Sequence, residues 1–231
     1  MKIGGLQKTT LIDFPGRIAA TVFLIGCNFS CPWCYSSEIV LPEKIKNHPI
    51  FPEKEFFKFL KERKGLLEGI VVCGGEPTSN KDLPVFIKKI KKMGYFVKLD
   101  TNGSNPKMLG ELIKKKLINY VAMDVKLPKD RYGEIFRGNI KVEDIEKSIK
   151  ILNNSNIDFE FRTTIVPTIH QKKDILEIVR WISPAKKYFL QNFRAEKTIN
   201  PAFIEIRPYS QEWLLDIQKT IAPFFEICQV R

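Results

Sequence analysis

"IAATVFLIGCNFSCPWC", residues 18 to 34, runs an apolar stretch directly into a loop that holds three cysteines. Its first part, Ile18 to Ile25, reads as a buried strand, because a strand covered on both faces is a continuous apolar run rather than an alternating one. The polar loop then stands at the carboxyl end of that strand. The same arrangement recurs along the chain. Gly69 to Cys73, Tyr95 to Leu99, Tyr120 to Met123, Phe159 to Thr163 and Tyr188 to Leu190 read as further strands. Between them Pro52 to Lys64, Asp82 to Met93 (with Asn80 as its cap), Met108 to Lys116, Val142 to Asn153 and Lys173 to Trp181 read as helices. Leu41 to Pro52 reads as a surface excursion, Gln211 to Ile221 as a last helix and Phe224 to Val230 as a terminal strand-like piece. Strands alternating with helices, without a glycine-rich dinucleotide fingerprint, predict an α/β fold: a partial (β/α)6 TIM-like barrel with parallel strands and helices outside. A length of 231 residues suits a single domain over 1–231, with its core at about 16–193 and a C-terminal extension over 194–231.

Composition narrows the function classes. Hydrophobic residues at 44% and charged residues at 28% describe a folded chain, and no apolar run is long enough to span a bilayer. Met1-Lys2-Ile3-Gly4-Gly5 is not a secretory signal, so the cysteines are expected in a reducing cytoplasm and a structural disulfide is not the first expectation. Lys plus Arg outnumber Asp plus Glu by 38 to 26, giving +12. The lysines are spread along amphipathic segments, among them Lys58, Lys61, Lys88, Lys89, Lys91, Lys92 and Lys114 to Lys116. With no aromatic-interleaved basic motif, the charge reads as solvated helix faces rather than a nucleic-acid footprint.

Each unusual polar cluster follows a strand. After "CNFSCPWC" come "GGEP" (Gly74 to Pro77), "DTNG" (Asp100 to Gly103), "DVK" (Asp124 to Lys126), "RTT" (Arg162 to Thr164) and "QNF" (Gln191 to Phe193). Any one of them could be turn chemistry. In a parallel barrel, however, the carboxyl ends of the strands open on one face, and six clusters in succession predict one shared site.

Clustered thiols in a reducing compartment point to metal. Zinc wants four protein ligands and would have to recruit Cys73, Cys228, His48 or His170 from a distance. An iron-sulfur cluster can take three thiolates, from Cys27, Cys31 and Cys34, and leave one iron open to chelate a small ligand.

The spacing Cys27-x-x-x-Cys31-x-x-Cys34, with Trp33 before the last cysteine and Gly74-Gly75-Glu76-Pro77 after the second strand, resembles the radical S-adenosylmethionine (SAM) enzymes. The stretch from Leu6 to Cys34, "LQKTTLIDFPGRIAATVFLIGCNFSCPWC", resembles the anaerobic ribonucleoside-triphosphate reductase activating proteins, which install a glycyl radical in a partner enzyme. The resemblance implies one 4Fe-4S cluster on Cys27, Cys31 and Cys34, whose fourth iron binds the amino and carboxylate groups of SAM. One electron then cleaves the cofactor to methionine and a 5'-deoxyadenosyl radical. It also implies a flavodoxin- or ferredoxin-type electron donor.

Cofactor contacts are expected from Trp33, Gly74, Gly75, Glu76, Pro77, Asp100, Thr101, Asp124, Lys126, Arg162 and Gln191. Among these, Glu76 would face the methionyl amino group, Lys126 its carboxylate, and the two aspartates would hold a monovalent cation. The competing expectation for Lys126 and Arg162 is simple ion pairing with Asp100 and Asp124. Tyr35-Ser36 departs from the His-Asn that many relatives carry after the third cysteine. Two other readings stay open: a radical SAM enzyme acting on a small molecule, like the 7-carboxy-7-deazaguanine synthases, and a metal-bearing nucleic-acid-binding module.

Overall fold

Ala19–Leu24 (β2) is apolar and almost wholly buried, as its sequence requires, and it pairs in parallel with Gly69–Gly74 (β3), residue for residue from Ala19 and Gly69 to Leu24 and Gly74. The computed structural model to which they belong describes residues 1–135 and 141–231. Among the described residues the sheet has eight strands in chain order: Ile3–Thr10 (β1), β2, β3, Phe96–Thr101 (β4), Tyr120–Asp124 (β5), Asp158–Ile165 (β6), Lys187–Asn192 (β7) and Ile227–Val230 (β8). β1 runs antiparallel to β2, whereas β3 with β4, β6 with β7 and β7 with β8 are parallel. The helices are Ser37–Val40 (α1), Pro42–Ile45 (α2), Glu53–Glu62 (α3), Leu83–Lys92 (α4), Pro106–Lys114 (α5), Val142–Asn153 (α6), Lys172–Ile182 (α7) and Gln211–Ile221 (α8). The α/β architecture is thus the one the strand-helix rhythm predicts.

The chain divides into two compact units that interleave along the sequence. The first comprises Met1–Asn28, Ser36–Thr101 and Asn105–Val121; the second comprises Phe29–Tyr35, Asn102–Ser104 and Ala122–Arg231. In the first unit, the loop between β1 and β2 turns Phe14 onto Ala19, Val71 and Tyr120. Gly69 leaves room for that ring, since a Cβ there would lie 2.7 Å from it. The hydroxyl of Thr21 donates to Asp13 at 2.7 Å, so Asp13 and Phe14 of "LIDFPG" serve the core while Leu11, Ile12, Pro15 and Gly16 are exposed. Along α4, Leu83, Phe86, Ile87 and Ile90 follow helical spacing and are buried, while Lys88, Lys89 and Lys92 are exposed. The lysine-rich segments are solvated faces in this helix.

In the second unit, α7 opens on a capping box between Gln171 and Asp174 and buries Ile175, Ile178, Val179 and Ile182. Buried Glu160 on β6 accepts from Arg231 at 3.1 Å, and the Arg231 guanidinium lies 3.5 Å from the centre of the Phe189 ring.

Three expectations need correction. β1 is an additional strand: its Gly4-Gly5 start and exposed Gln7, Lys8 and Thr9 hide the apolar pattern of an antiparallel edge. Asn80 does not cap α4, whose N-cap is Asp82. The backbone carbonyl of Asn80 accepts from Leu83 instead, as a 3-10 turn over Pro77–Ser79 comes between. The excursion from Leu41 to Pro52 contains the single-turn helix α2. Among the described residues, no helix is long and apolar enough to cross a membrane.

Candidate functional site

In the first unit the polar chemistry gathers at the carboxyl ends of β3 and β4. β3 ends at Gly74, in a left-handed conformation with φ +122°, and Gly75 follows. A Cβ on Gly75 would lie 2.0 Å from the carbonyl oxygen of Gly26, and one on Gly74 would lie 2.2 Å from the Leu24 nitrogen. The glycine pair therefore lets the GGEP loop lie directly on the backbone that leads to Cys27. The N–H groups of Gly75 and Glu76 donate to Leu24 and Gly26 at 2.9 and 2.7 Å. Pro77 opens the 3-10 turn, and the fully buried Glu76 caps it. Oε1 of Glu76 accepts from the Thr78 N–H at 3.0 Å, from the Thr78 hydroxyl and from the Thr101 hydroxyl at 2.7 Å. Three donors on one oxygen fix the direction of the carboxylate. Asp100 pairs with buried Lys98.

In the second unit, Asp124 at the end of β5 accepts from Arg162 at 2.8 Å and from Lys126 at 3.2 Å. Burial pushes the Asp124 carboxyl up, but the Arg162 and Lys126 charges and hydrogen bonds outweigh it and hold it at about 2. The Lys126 ammonium is raised well above the usual lysine range: burial opposes this, and the negative charges of Asp124 and then Cys31 overcome it. Cys31 is thus electrostatically close to Lys126. Gln191, on β7, pairs with Thr164 across the sheet, two residues along the same face from Arg162. Cys31 and Cys34 share one turn, with the Cys34 N–H donating to the Cys31 carbonyl at 3.0 Å. Trp33 is buried edge-on against His170, with ring centres 6.1 Å apart.

Of the predicted residues, the structure joins Glu76 with Thr101 in one unit and Asp124 with Lys126 and Arg162 in the other. The ion-pair expectation for Lys126 and Arg162 holds, with Asp124 as partner. Each aspartate expected to hold a monovalent cation already carries a basic side chain, Lys98 on Asp100 and two on Asp124. Sequence reading missed Thr78, Lys98, Tyr132 and His170. Lys98 left a signal, a charge in the middle of an apolar strand. Thr78 and Tyr132 left none, being ordinary polar residues in loops, and His170 could be weighed only as a spare metal ligand.

The Asp124 shift carries a pH prediction. Its folded value, about 2, lies below its ordinary 3.8, so the stability it contributes is present above 3.8 and lost as pH falls towards 2. The loss between pH 5 and pH 2 is about 2 kcal/mol. Denaturant unfolding at the two pH values should show a difference smaller by that amount in Asp124→Asn; an unchanged difference would mean that the carboxyl is not held by its two cations.

Comparison with known proteins bears on this geometry. A family model, "Radical SAM superfamily", matches residues 21–182. A protein of Methanocaldococcus jannaschii named "Putative glycyl-radical enzyme activating enzyme MJ1227" is 31% identical over 99% of this chain and 95% of its own. The 7-carboxy-7-deazaguanine synthase of Aquifex aeolicus is 32% identical, but over only 38% of each chain. The crystal structure of Streptococcus suis SuiB bound to S-adenosylmethionine superposes with a TM-score of 0.67 at 15% identity, over 91% of this chain and 51% of that one. That likeness is one of fold, and this chain spans about half the length of SuiB. The chain belongs to the radical SAM superfamily. Membership implies a 4Fe-4S cluster and SAM. The residues suit such groups: the cysteine loop offers thiol ligands, Cys31 lies within electrostatic reach of an ammonium, and the Glu76 carboxylate is oriented by three donors.

Proposed function

We propose that this chain is a glycyl radical enzyme activating enzyme, a single radical SAM domain that holds one 4Fe-4S cluster on Cys27, Cys31 and Cys34. Its protein substrate is then most simply an anaerobic ribonucleoside-triphosphate reductase. The observation that carries the reading is the match along 99% of the chain to a relative named as an activating enzyme, against 38% for the deazaguanine synthase. When bound, cluster and SAM supply one-electron cleavage of the sulfonium S–C5' bond and a radical able to abstract hydrogen. The protein's own work is placement. Glu76, held by Thr78 and Thr101, accepts from the methionyl ammonium. Lys126 gives its charge to the methionyl carboxylate while Asp124 and Arg162 hold its place. Gln191 and Trp33 contribute to the walls, and the apolar strand interiors exclude water. The electron donor is a flavodoxin- or ferredoxin-type protein, in the cytoplasm.

The test is to incubate the reduced, cluster-loaded protein and SAM anaerobically with the reductase. Electron paramagnetic resonance should give a glycine-centred doublet that disappears when the partner's C-terminal-region glycine is replaced by alanine. Turnover of a deazaguanine precursor, with no doublet on any glycyl enzyme, would overturn the activase reading and leave the superfamily assignment intact.

A further inference from the structure

Lys126 is held by its peptide group as well as by its side chain. Its N–H donates to the phenol of Tyr132 at 3.0 Å, and its carbonyl lies 2.8 Å from Nε2 of His170. The histidine tautomer follows from its other nitrogen. Nδ1 lies 3.1 Å from the N–H of Val166, which can only donate, so Nδ1 is the bare acceptor and the proton sits on Nε2, directed at Lys126. His170 is fully buried, and burial pushes its pKa down, so the ring stays in this neutral, two-bonded state. The loop after β6 that carries it is itself anchored. The His170 N–H donates to the Val166 carbonyl at 2.8 Å, Tyr209 donates to the His170 carbonyl at 2.8 Å, and Arg131 donates to the Ile169 carbonyl at 2.9 Å.

Both halves of this clamp touch the cysteine loop. Trp33 meets the His170 ring edge-on at 6.1 Å, and Phe29 meets the Tyr132 ring edge-on at 6.1 Å. The two aromatic residues of "CNFSCPWC" that cannot ligate a metal therefore bear on the two side chains that grip the Lys126 peptide. The Ser30 N–H adds a bond to the carbonyl of Ile135, three residues after Tyr132 in the same 3-10 segment, at 2.8 Å.

We infer that His170 and Tyr132 are positioning residues: they fix the Lys126 backbone relative to the cysteine loop, so that the ammonium meets the carboxylate of a cofactor bound on the cluster. This rests on the function proposed above. Their effect is on cofactor affinity rather than on cluster assembly. Neither needs to touch SAM.

Two variants of His170 separate this from a purely structural role. Glutamine can place an amide N–H near Nε2 and so keep the bond to Lys126. Asparagine reaches only as far as Nδ1 and keeps the bond to Val166 alone. The cluster-loaded full chain of each is titrated with SAM and followed by the change in the cluster's electron paramagnetic resonance spectrum. We expect His170→Asn to weaken binding about tenfold or more and His170→Gln to stay within about threefold, by analogy with the roughly 10–100-fold losses seen when groups that orient metal-ligating side chains are removed. Tyr132→Phe, which keeps the ring contact with Phe29, should also weaken it about tenfold, with an unchanged spectrum before SAM is added. In a Lys126→Met background, His170→Asn should add almost nothing, because the residue acts through Lys126.

Wild-type affinity in both His170→Asn and Tyr132→Phe, equal losses in the asparagine and glutamine variants, or additive losses with Lys126→Met would each overturn the inference. If the cluster-loaded wild type itself fails to bind SAM, the functional reading falls first and the clamp has no cofactor group to position.

Discussion

Replacing any one of Cys27, Cys31 or Cys34 by alanine is expected to abolish the visible absorption and the reduced-state paramagnetic signal of a reconstituted 4Fe-4S cluster. Cys73→Ala and Cys228→Ala should leave both intact. The contrast has a physical basis, since metal binds thiolate rather than thiol. Cys228 lies on β8, where burial pushes its thiol up to about 11, so at neutral pH it is protonated and a poor ligand. Cys73 lies within β3, against the cluster formed by Phe14, Ala19, Val71 and Tyr120, and serves as a small apolar side chain. Cys31, by contrast, lies on the cysteine loop within electrostatic reach of the Lys126 ammonium. A cluster needing three thiolates has no slack, so the effect of each loop variant is total loss rather than weakening. If Cys73 or Cys228 proves as necessary as the other three, a fully ligated structural site replaces the open iron. Bound zinc with a featureless spectrum would return the chain to the metal-bearing binding-module reading.

How much of this was legible in the sequence depends on how local the cause was. β2, β3 and β5 announced themselves because a strand buried on both faces tends to a continuous apolar run, β4, β6 and β7 by shorter apolar stretches spaced between helical ones, and α4 and α7 because one face of each is apolar at helical spacing. β1 did not, because an edge strand with one exposed flank and two glycines carries no such constraint. The site divides in the same way. Glu76, Thr101, Asp124, Lys126 and Arg162 stand in recognisable short motifs at strand ends. Of the residues that hold them, Thr78 lies just beyond the GGEP motif on Glu76, while Tyr132 and His170 reach Lys126 from outside any motif. A hydrogen bond between positions 126 and 170 leaves no trace in either neighbourhood, because any donor brought there by the fold would serve. "LIDFPG" is an intermediate case. Its likeness to activating proteins was visible, whereas the seating of Phe14 on Gly69 was not.

The second large effect is expected at Gly75, which the sequence places among the cofactor contacts. The structure supplies a nearer reason. An added methyl would meet the Gly26 carbonyl oxygen at 2.0 Å, its carbon at 2.5 Å and the Cys27 nitrogen at 3.1 Å, all backbone atoms that cannot rotate away. To admit it, the GGEP loop must lift, and the bond from the Glu76 N–H to the Gly26 carbonyl breaks. Overpacking costs about 1–3 kcal/mol, and leaving a buried polar group unpaired costs about as much again. Gly75→Ala should therefore lose about 3 kcal/mol or more of stability in denaturant unfolding of the protein without cluster or cofactor. Gly133→Ala, where a Cβ meets nothing within 4 Å, should change it by less than about 1 kcal/mol. If Gly75→Ala unfolds like wild type and loses only SAM binding, the glycine serves the ligand. If it loses stability before any ligand is present, the first task of the glycine pair is to seat Glu76 on the backbone that leads to Cys27, and its service to the cofactor follows from that.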